Sequence, residues 1–474
     1  MAGELVLETK ISDPYILCDD KEHVVKACLS VYASDEVKER LEGEKQINNG
    51  VDLCLLIDVS GSMFKIVGGE TTPTGKKQII DGVKYNIVTG GTTKLDIALE
   101  AVNKVVELLR PTDNVTVIAY DDTPHIIVQN LPGSDKERIT EALEKCKDYS
   151  GNTNISEALK LGRLILNNNN NGKIKKMIFM TDGVPYGDTE EAGIRQAKLI
   201  AETGISIDCL GFGGSDVNFA FLEKLAKPSN GRTELINEPE EARDMFTELF
   251  ENSTEVIITN AKLELTFPKY VRVTEHYKGT PEVAYLGKVV LDKERKATVN
   301  LVNIERNQEY KFYFLMTIPG RSSGDSSLEI MSAKLEYYIP KLYGNRNFFI
   351  VRNVSVDVGD NTSLVEKDGE VERGYYEAEI KKLEDEANIA RERNDYNTAI
   401  KRYEWIINRY EELGNALAVN QYRALIDEFR ENGTISIQAI NNAGKTSTRP
   451  VNSATTTIKI DFPTNATLRR RRNR

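Results

Sequence analysis

The chain has 474 residues, of which 40% are hydrophobic and 28% charged, with a formal net charge of −11. That length sets a prior of about three domains, and the composition is that of a globular chain with enough apolar side chains for real cores. The acidic balance argues against general nucleic-acid binding by the body of the protein, and the absence of any run of about 18 apolar residues argues against a transmembrane helix.

The N-terminal stretch MAGELVLETKISDPYILCDD has no basic start followed by an apolar block, so no signal peptide is expected. Two strands are predicted before residue 50, at Glu4–Ile11 and His23–Ala33. Residues 51–63 then read VDLCLLIDVSGSM. A buried-type strand, Leu53–Asp58, runs directly into Asp58-x-Ser60-x-Ser62 on a turn loosened by Gly61. One carboxylate and two hydroxyls leave the strand end together, as hard oxygen donors suited to a hard divalent cation.

A segment of about thirty residues rich in Gly and Thr follows, with a β-prone piece at Lys84–Val88. It is expected to form a hairpin or loop beside the candidate site, either shaping it or standing as a tolerated surface insertion. Lys94–Leu109 has helical spacing and is closed by Arg110-Pro111. Asn114–Tyr120 reads as a strand, His125–Val128 as a short edge strand, and Lys136–Lys147 and Ile155–Leu166 as helices. Between these helices, Ser150-Gly151-Asn152-Thr153-Asn154 is a turn-rich segment that opens the second. Asn167–Asn171 reads as a low-complexity loop without assigned function. Lys176–Thr181 is a second apolar strand, and it delivers Asp182. Helices at Ala192–Glu202, Val217–Ala226 and Glu240–Phe250 and strands at Ile205–Gly211 and Thr233–Ile236 complete the alternation. Such alternation predicts an α/β fold, a doubly wound and mostly parallel sheet with ligands bound outside the carboxyl ends of its strands.

Asp58, Ser60, Ser62, Thr153 and Asp182 resemble the metal-ion-dependent adhesion site of the von Willebrand factor A family, and no position of that motif departs from the family pattern. The resemblance covers about residues 51–252. It implies that two carboxylates and three hydroxyls hold one Mg²⁺ or Mn²⁺. A coordination position is then left for water or for an acidic side chain of a partner protein. Taken singly, each of the five could instead cap a turn or start a loop.

Strands predicted at Glu255–Phe267, Val271–His276, Glu282–Leu286, Ala297–Asn303, Tyr310–Thr317, Ser327–Tyr338 and Phe348–Asp357 suggest a β-sandwich over 253–360. Residues 1–50 would complete it, with the α/β domain inserted. This order resembles intracellular and bacterial members of the family, and no RING finger accompanies it. Residues 361–432 turn helical: Tyr375–Arg393 and Tyr396–Gly414 resemble one tetratricopeptide-type hairpin, with a third helix at Ala416–Phe429. Trp405, the one tryptophan, sits on the hairpin, where it is expected to serve packing, the other reading being a hot spot for a partner. The segment 433–474 is rich in Thr, Ser and Asn, with candidate strands at Thr434–Ala439 and Thr455–Asp461. Its last residues, 469–474, carry five arginines that could contact an acidic partner or remain solvated.

Five dispersed cysteines without a C-x-x-C pair fit a reducing, cytoplasmic setting, and His23, His125 and His276 spell out no zinc site. Gly211-Phe212-Gly213-Gly214 follows a strand but no Lys-Ser/Thr comes after it, so it is loop punctuation and no phosphate loop. Asp58 and Asp182 could in principle activate water on a metal, yet no general base lies beside them in the motif. The expected function is therefore non-enzymatic: metal-dependent capture of an acidic residue of a partner. The alternative is a constitutive subunit of a larger intracellular complex whose metal is structural.

Overall fold

The protein is described from a computed structural model, covering residues 5–447 except 44–49, 81–82, 170, 184, 186–188, 213–216, 237–238, 322–325, 340–345 and 434. In chain order the N-terminal elements are β1 (Leu5–Ile11), β2 (Tyr15–Leu17), β3 (His23–Ala33) and α1 (Asp35–Gly43). The α/β layer follows with β4 (Val51–Asp58), β5 (Ile66–Ile80), β6 (Val83–Thr93), α2 (Lys94–Leu108), β7 (Asn114–Tyr120), β8 (Pro124–Pro132), α3 (Lys136–Leu143), α4 (Ile155–Asn168), β9 (Ile174–Thr181) and α5 (Glu190–Glu202). It ends with β10 (Ser206–Phe212), α6 (Phe219–Ala226), β11 (Thr233–Ile236) and α7 (Pro239–Thr254).

Its six-stranded sheet has the order β11-β10-β9-β4-β7-β8. All neighbours are parallel except β8, which runs antiparallel along β7. Every residue of β4 is buried, as the continuous apolar run VDLCLLID requires of a strand covered on both faces. One face packs on α2 and α7 through Ile57, Val102, Val105 and Phe246, the other on α4, α5 and α6 through Leu56, Leu159, Phe179 and Phe221. The chain leaves β4 toward β7 on one side and β9 lies on the other, so the carboxyl ends of β4 and β9 sit at a topological switch.

The start of β4 is locked by its turn. Val51 N donates to Asp113 Oδ1 at 2.9 Å, and Gly50 has φ of +72°. A Cβ on Gly50 would lie 1.9 Å from the Thr112 carbonyl oxygen. Gly50→Ala is therefore expected to cost about 3 kcal/mol, through positive φ and backbone overlap together. Urea unfolding of the two proteins measures it.

Further strands flank this layer: β12 (Val256–Thr266), β13 (Arg272–Thr280), β14 (Ala284–Lys288), β15 (Lys296–Glu305), β16 (Tyr310–Ile318), β17 (Ser326–Tyr338) and β18 (Asn347–Gly359) join β1, β2 and β3. They form two five-stranded sheets, β1-β3-β16-β13-β14 and β15-β12-β17-β18-β2. Apolar side chains of both sheets share one core, including Leu7, Val25, Leu29, Leu263, Phe314, Leu335 and Val356. The N-terminal strands thus pair with strands that follow the α/β layer: β3 lies antiparallel to β16, and β2 lies parallel to β18.

The C-terminal helices are α8 (Gly369–Glu392), α9 (Tyr396–Glu412), α10 (Ala416–Asn432) and α11 (Ile437–Ser447). Small Ala387, Ala390 and Ala399 are buried between the first two, as their spacing predicts. Two expectations are corrected. The segment expected as a strand at Thr434–Ala439 gives way to helix α11, because Ile440 and Ala443 join the apolar cluster of α9 and α10. Trp405 is 53% exposed, with the Arg402 guanidinium 4.5 Å from its ring, so it is not a packed core residue. The candidate strand Thr455–Asp461 and the arginines at 469–474 lie outside the described residues.

The thirty-residue excursion forms a two-stranded antiparallel hairpin, β5 with β6, running from Ile66 opposite Thr93 to Ile80 opposite Val83. The asparagine loop has a structural job that composition does not reveal. Asn171 Nδ2 donates to both carboxylate oxygens of buried Asp52, at 2.8 and 3.0 Å.

Candidate functional site

Asp58 ends β4 and Asp182 follows β9, so two parallel neighbours place their carboxylates side by side. Asp58, Ser60 and Asp182 are each at most 1% exposed. The turn after β4 is tight: Ser60 N donates to Asp58 Oδ1 at 2.8 Å, and Met63 N donates to the Ser60 carbonyl at 3.0 Å. Ser60 Oγ and Ser62 Oγ lie 3.1 Å apart, and Ser62 Oγ donates to Asp182 Oδ1 at 2.6 Å. Asp58, Ser60, Ser62 and Asp182 are thus linked in one hydrogen-bonded group.

The loop that carries Thr153 docks beside this group through its backbone. Gly61 N, between the two serines, donates to the Gly151 carbonyl at 3.0 Å, and Asn154 N donates to the Asp121 carbonyl at 2.8 Å. Asn152 Nδ2 adds a bond to Asp122 Oδ1 at 2.6 Å. Thr153 itself is 6% exposed. Asn154 then caps α4, accepting from Glu157 N.

Three contributors carry no motif signal of their own. Thr181 Oγ1 donates to Asp58 Oδ2 at 2.6 Å and so fixes the second oxygen of that carboxylate. Tyr120 OH donates to the Met180 carbonyl at 2.8 Å, tying the ends of β7 and β9. Lys94 Nζ donates to Asp182 Oδ2 at 2.8 Å, and this ion pair is almost fully buried. The hairpin brings Lys94 there: Lys65 N bonds the Ser62 carbonyl, and Lys94 N bonds the Lys65 carbonyl at 3.1 Å, closing the base of β5 and β6 beside the serines.

Burial, with the Asp182 carboxylate as second cause, pushes Asp58 up from 3.8 to about 7. Hydrogen bonds from Ser60 and Thr181 oppose the shift. A site of this kind is short of positive charge. The oxygens brought together here are two carboxylates and the hydroxyls of Ser60 and Ser62, a set that fits Mg²⁺ or Mn²⁺ better than a soft metal. Among the described residues no group of three or more His, Cys, Asp or Glu has metal-binding placement. Any cation site here rests on the mixed carboxylate and hydroxyl set.

Residues 53–184 match the von Willebrand factor type A domain family. Among curated relatives, the chain is 26% identical over 268 residues to the uncharacterized protein sll0103 of Synechocystis sp., covering 53% of this chain and 57% of that one. It is 26% identical over 271 residues to human inter-alpha-trypsin inhibitor heavy chain H4, covering 52% of this chain and 28% of that one. The matched part is therefore well under two thirds of either relative's length. Among solved structures, a von Willebrand factor type A protein from Catenulispora acidiphila superposes with a TM-score of 0.72 at 17% identity, covering 94% of this chain and 96% of that one. The ArnB paralog VWA2 from Sulfolobus acidocaldarius gives 0.54 at 14% identity, covering 94% and 98%. These structures share the fold. The α/β layer bearing Asp58 and Asp182 therefore has the von Willebrand factor type A fold, and its residues 53–184 match that domain family.

Proposed function

We propose that the protein is a non-enzymatic, cytoplasmic interaction module that uses a divalent ion to bind an acidic side chain of a partner protein. Asp58, Ser60, Ser62, Thr153 and Asp182 would hold one Mg²⁺ or Mn²⁺. The observation that carries the reading is the convergence of two buried carboxylates and two serine hydroxyls at the carboxyl ends of β4 and β9.

When bound, the ion supplies a Lewis-acidic position for a carboxylate oxygen. The chain's own residues prepare that position. Thr181 and Ser60 N aim the Asp58 oxygens, Ser62 aims one oxygen of Asp182, and the docking of Gly151 on Gly61 sets the loop of Thr153. Hydroxyl ligands add no negative charge, so a bound divalent cation keeps attraction for an anionic ligand. The β5–β6 hairpin rises from the rim of this position and is exposed from Val67 to Lys77, a surface available to the same partner. Among the described residues no cysteine is joined in a disulfide, in keeping with a reducing compartment. None of the described helices is long and apolar enough to cross a membrane.

The test is affinity capture on the full chain in Mg²⁺, elution with EDTA, and Asp58→Ala alongside. A partner released by EDTA and missing with Asp58→Ala is the expected result. Partners retained through both treatments would instead indicate a constitutive subunit with a structural metal.

A further inference from the structure

Lys94 is an unusual choice for its position. It is the first residue of α2, where the helix dipole favours negative charge and opposes an ammonium. It is also only 6% exposed, although a lysine is rarely buried without a partner. Asp182 Oδ2, 2.8 Å away, offsets both costs. The other oxygen of that carboxylate is held by Ser62, itself in the proposed ligand set. The backbone fixes the arrangement from both sides, through the Lys65 carbonyl and through the Thr93–Asp96 capping box that starts α2.

We infer that Lys94 is the charge-setting residue of this site: its tethered ammonium competes with a divalent cation for Asp182, and it leaves the cation-loaded site with net positive charge that selects an anionic ligand. The inference rests on the metal reading proposed above. Charge counting carries it. Counted with Asp58 and Asp182 both ionised, as a bound cation requires, Lys94 brings the pocket from −2 to −1. A divalent cation then takes it to +1, where without Lys94 it would reach only neutrality. At close range in a buried setting, like-charge repulsion between ammonium and cation weakens cation binding. The residual positive charge strengthens attraction for a carboxylate. Lys94 is thus a positioning and specificity residue, acting through Asp182.

The experiment titrates Mn²⁺ alone into the full chain by calorimetry, for wild type, Lys94→Met, Lys94→Gln and Lys94→Arg. Glutarate is then titrated into each Mn²⁺-loaded protein as a carboxylate probe. Circular dichroism and thermal unfolding check the fold of each variant. Lys94→Met and Lys94→Gln are expected to bind Mn²⁺ at least tenfold more tightly than wild type and glutarate several-fold more weakly. Lys94→Arg should stay within about threefold of wild type in both. The glutamine variant keeps a donor to Asp182 without the charge, so it carries the test if the methionine variant folds poorly. Folded uncharged variants that bind Mn²⁺ no tighter than wild type overturn the inference while leaving the metal reading intact. Mn²⁺ bound by no variant and not by wild type overturns both. Mn²⁺ bound by the uncharged variants alone overturns the metal reading for the natural chain and, with it, the selection of an anionic ligand by a loaded site.

Discussion

Stripped of divalent cations, the protein should lose stability as pH rises from 5 to 8, and Mg²⁺ should restore it. Folded Asp58 keeps its proton to about pH 7, against 3.8 for the ordinary group, because it is buried beside Asp182. Between those two values the folded state binds more protons than the unfolded chain, so stability falls with rising pH. The contribution is complete below about pH 4 and is lost as pH passes through about 7. A tenfold difference in proton affinity between the two states corresponds to about 1.4 kcal/mol, which puts the loss at about 2–4 kcal/mol. Cation binding requires the carboxylate ionised, so it should release a proton below pH 7 and reverse the loss above it. Glu282 and Glu223 are also pushed up by burial, to about 7 and about 8, so the wild-type curve alone does not isolate Asp58. The difference between wild type and Asp58→Asn does. The asparagine variant keeps the shape, cannot ionise, and should show neither the Asp58 part of the slope nor the Mg²⁺ response. Parallel curves with and without Mg²⁺ for both proteins would refute the assignment.

Lys381→Met should destabilise the chain by about 3–5 kcal/mol at pH 9, where the buried carboxylates are ionised and lose their cation. Lys381 on α8 is 4% exposed and bonds Glu384 Oε2 at 2.7 Å and Glu223 Oε1, from α6 of the α/β layer, at 2.9 Å. Glu384 is 2% exposed and also accepts from Ser447 Oγ on α11 and from Tyr422 OH on α10, the latter at 3.1 Å. One ammonium therefore ties the helical region to the α/β layer. Burial already pushes Glu223 up to about 8, against the pull of Lys381. Without the lysine Glu223 should hold its proton to still higher pH, so the deficit should shrink from pH 9 toward pH 7. Chemical denaturation at the two pH values measures it. An equal cost at both would show that lost packing, and no unpaired charge, is responsible.

The α/β order and the two acidic strand ends are legible in the sequence because each lies in a contiguous signal. An apolar run ends in a carboxylate at Asp58 and again at Asp182, and helices of clear period alternate with them. Lys94 is not legible as a site residue. Its approach to Asp182 depends on the hairpin closing between Lys65 and Lys94, a long-range event with no local pattern. Thr181 sits in plain view before Asp182, yet nothing in its neighbours says that its hydroxyl faces Asp58. The α11 segment misleads because Thr434-Ile435-Ser436-Ile437 alternates like a strand, while burial of Ile440 and Ala443 against neighbouring helices decides the outcome. Trp405 misleads for the opposite reason: an aromatic in a periodic helix suggests core, but Arg402 covers one face of its ring at the surface.

The pairing of β3 with β16, Val31 opposite Tyr310, has a consequence for synthesis on the ribosome. The partner strand emerges roughly 280 residues later, on the order of half a minute at about 5–20 residues per second. The whole α/β sheet can form within that interval, since β4 through β11 need no strand from outside it. The hairpin of β1 and β3 meanwhile waits with Val25, Leu29 and Val31 uncovered and its edge unpaired. Until β16 is made, the pair of β1 and β3 is thus open to wrong strand pairing along the edge of β3.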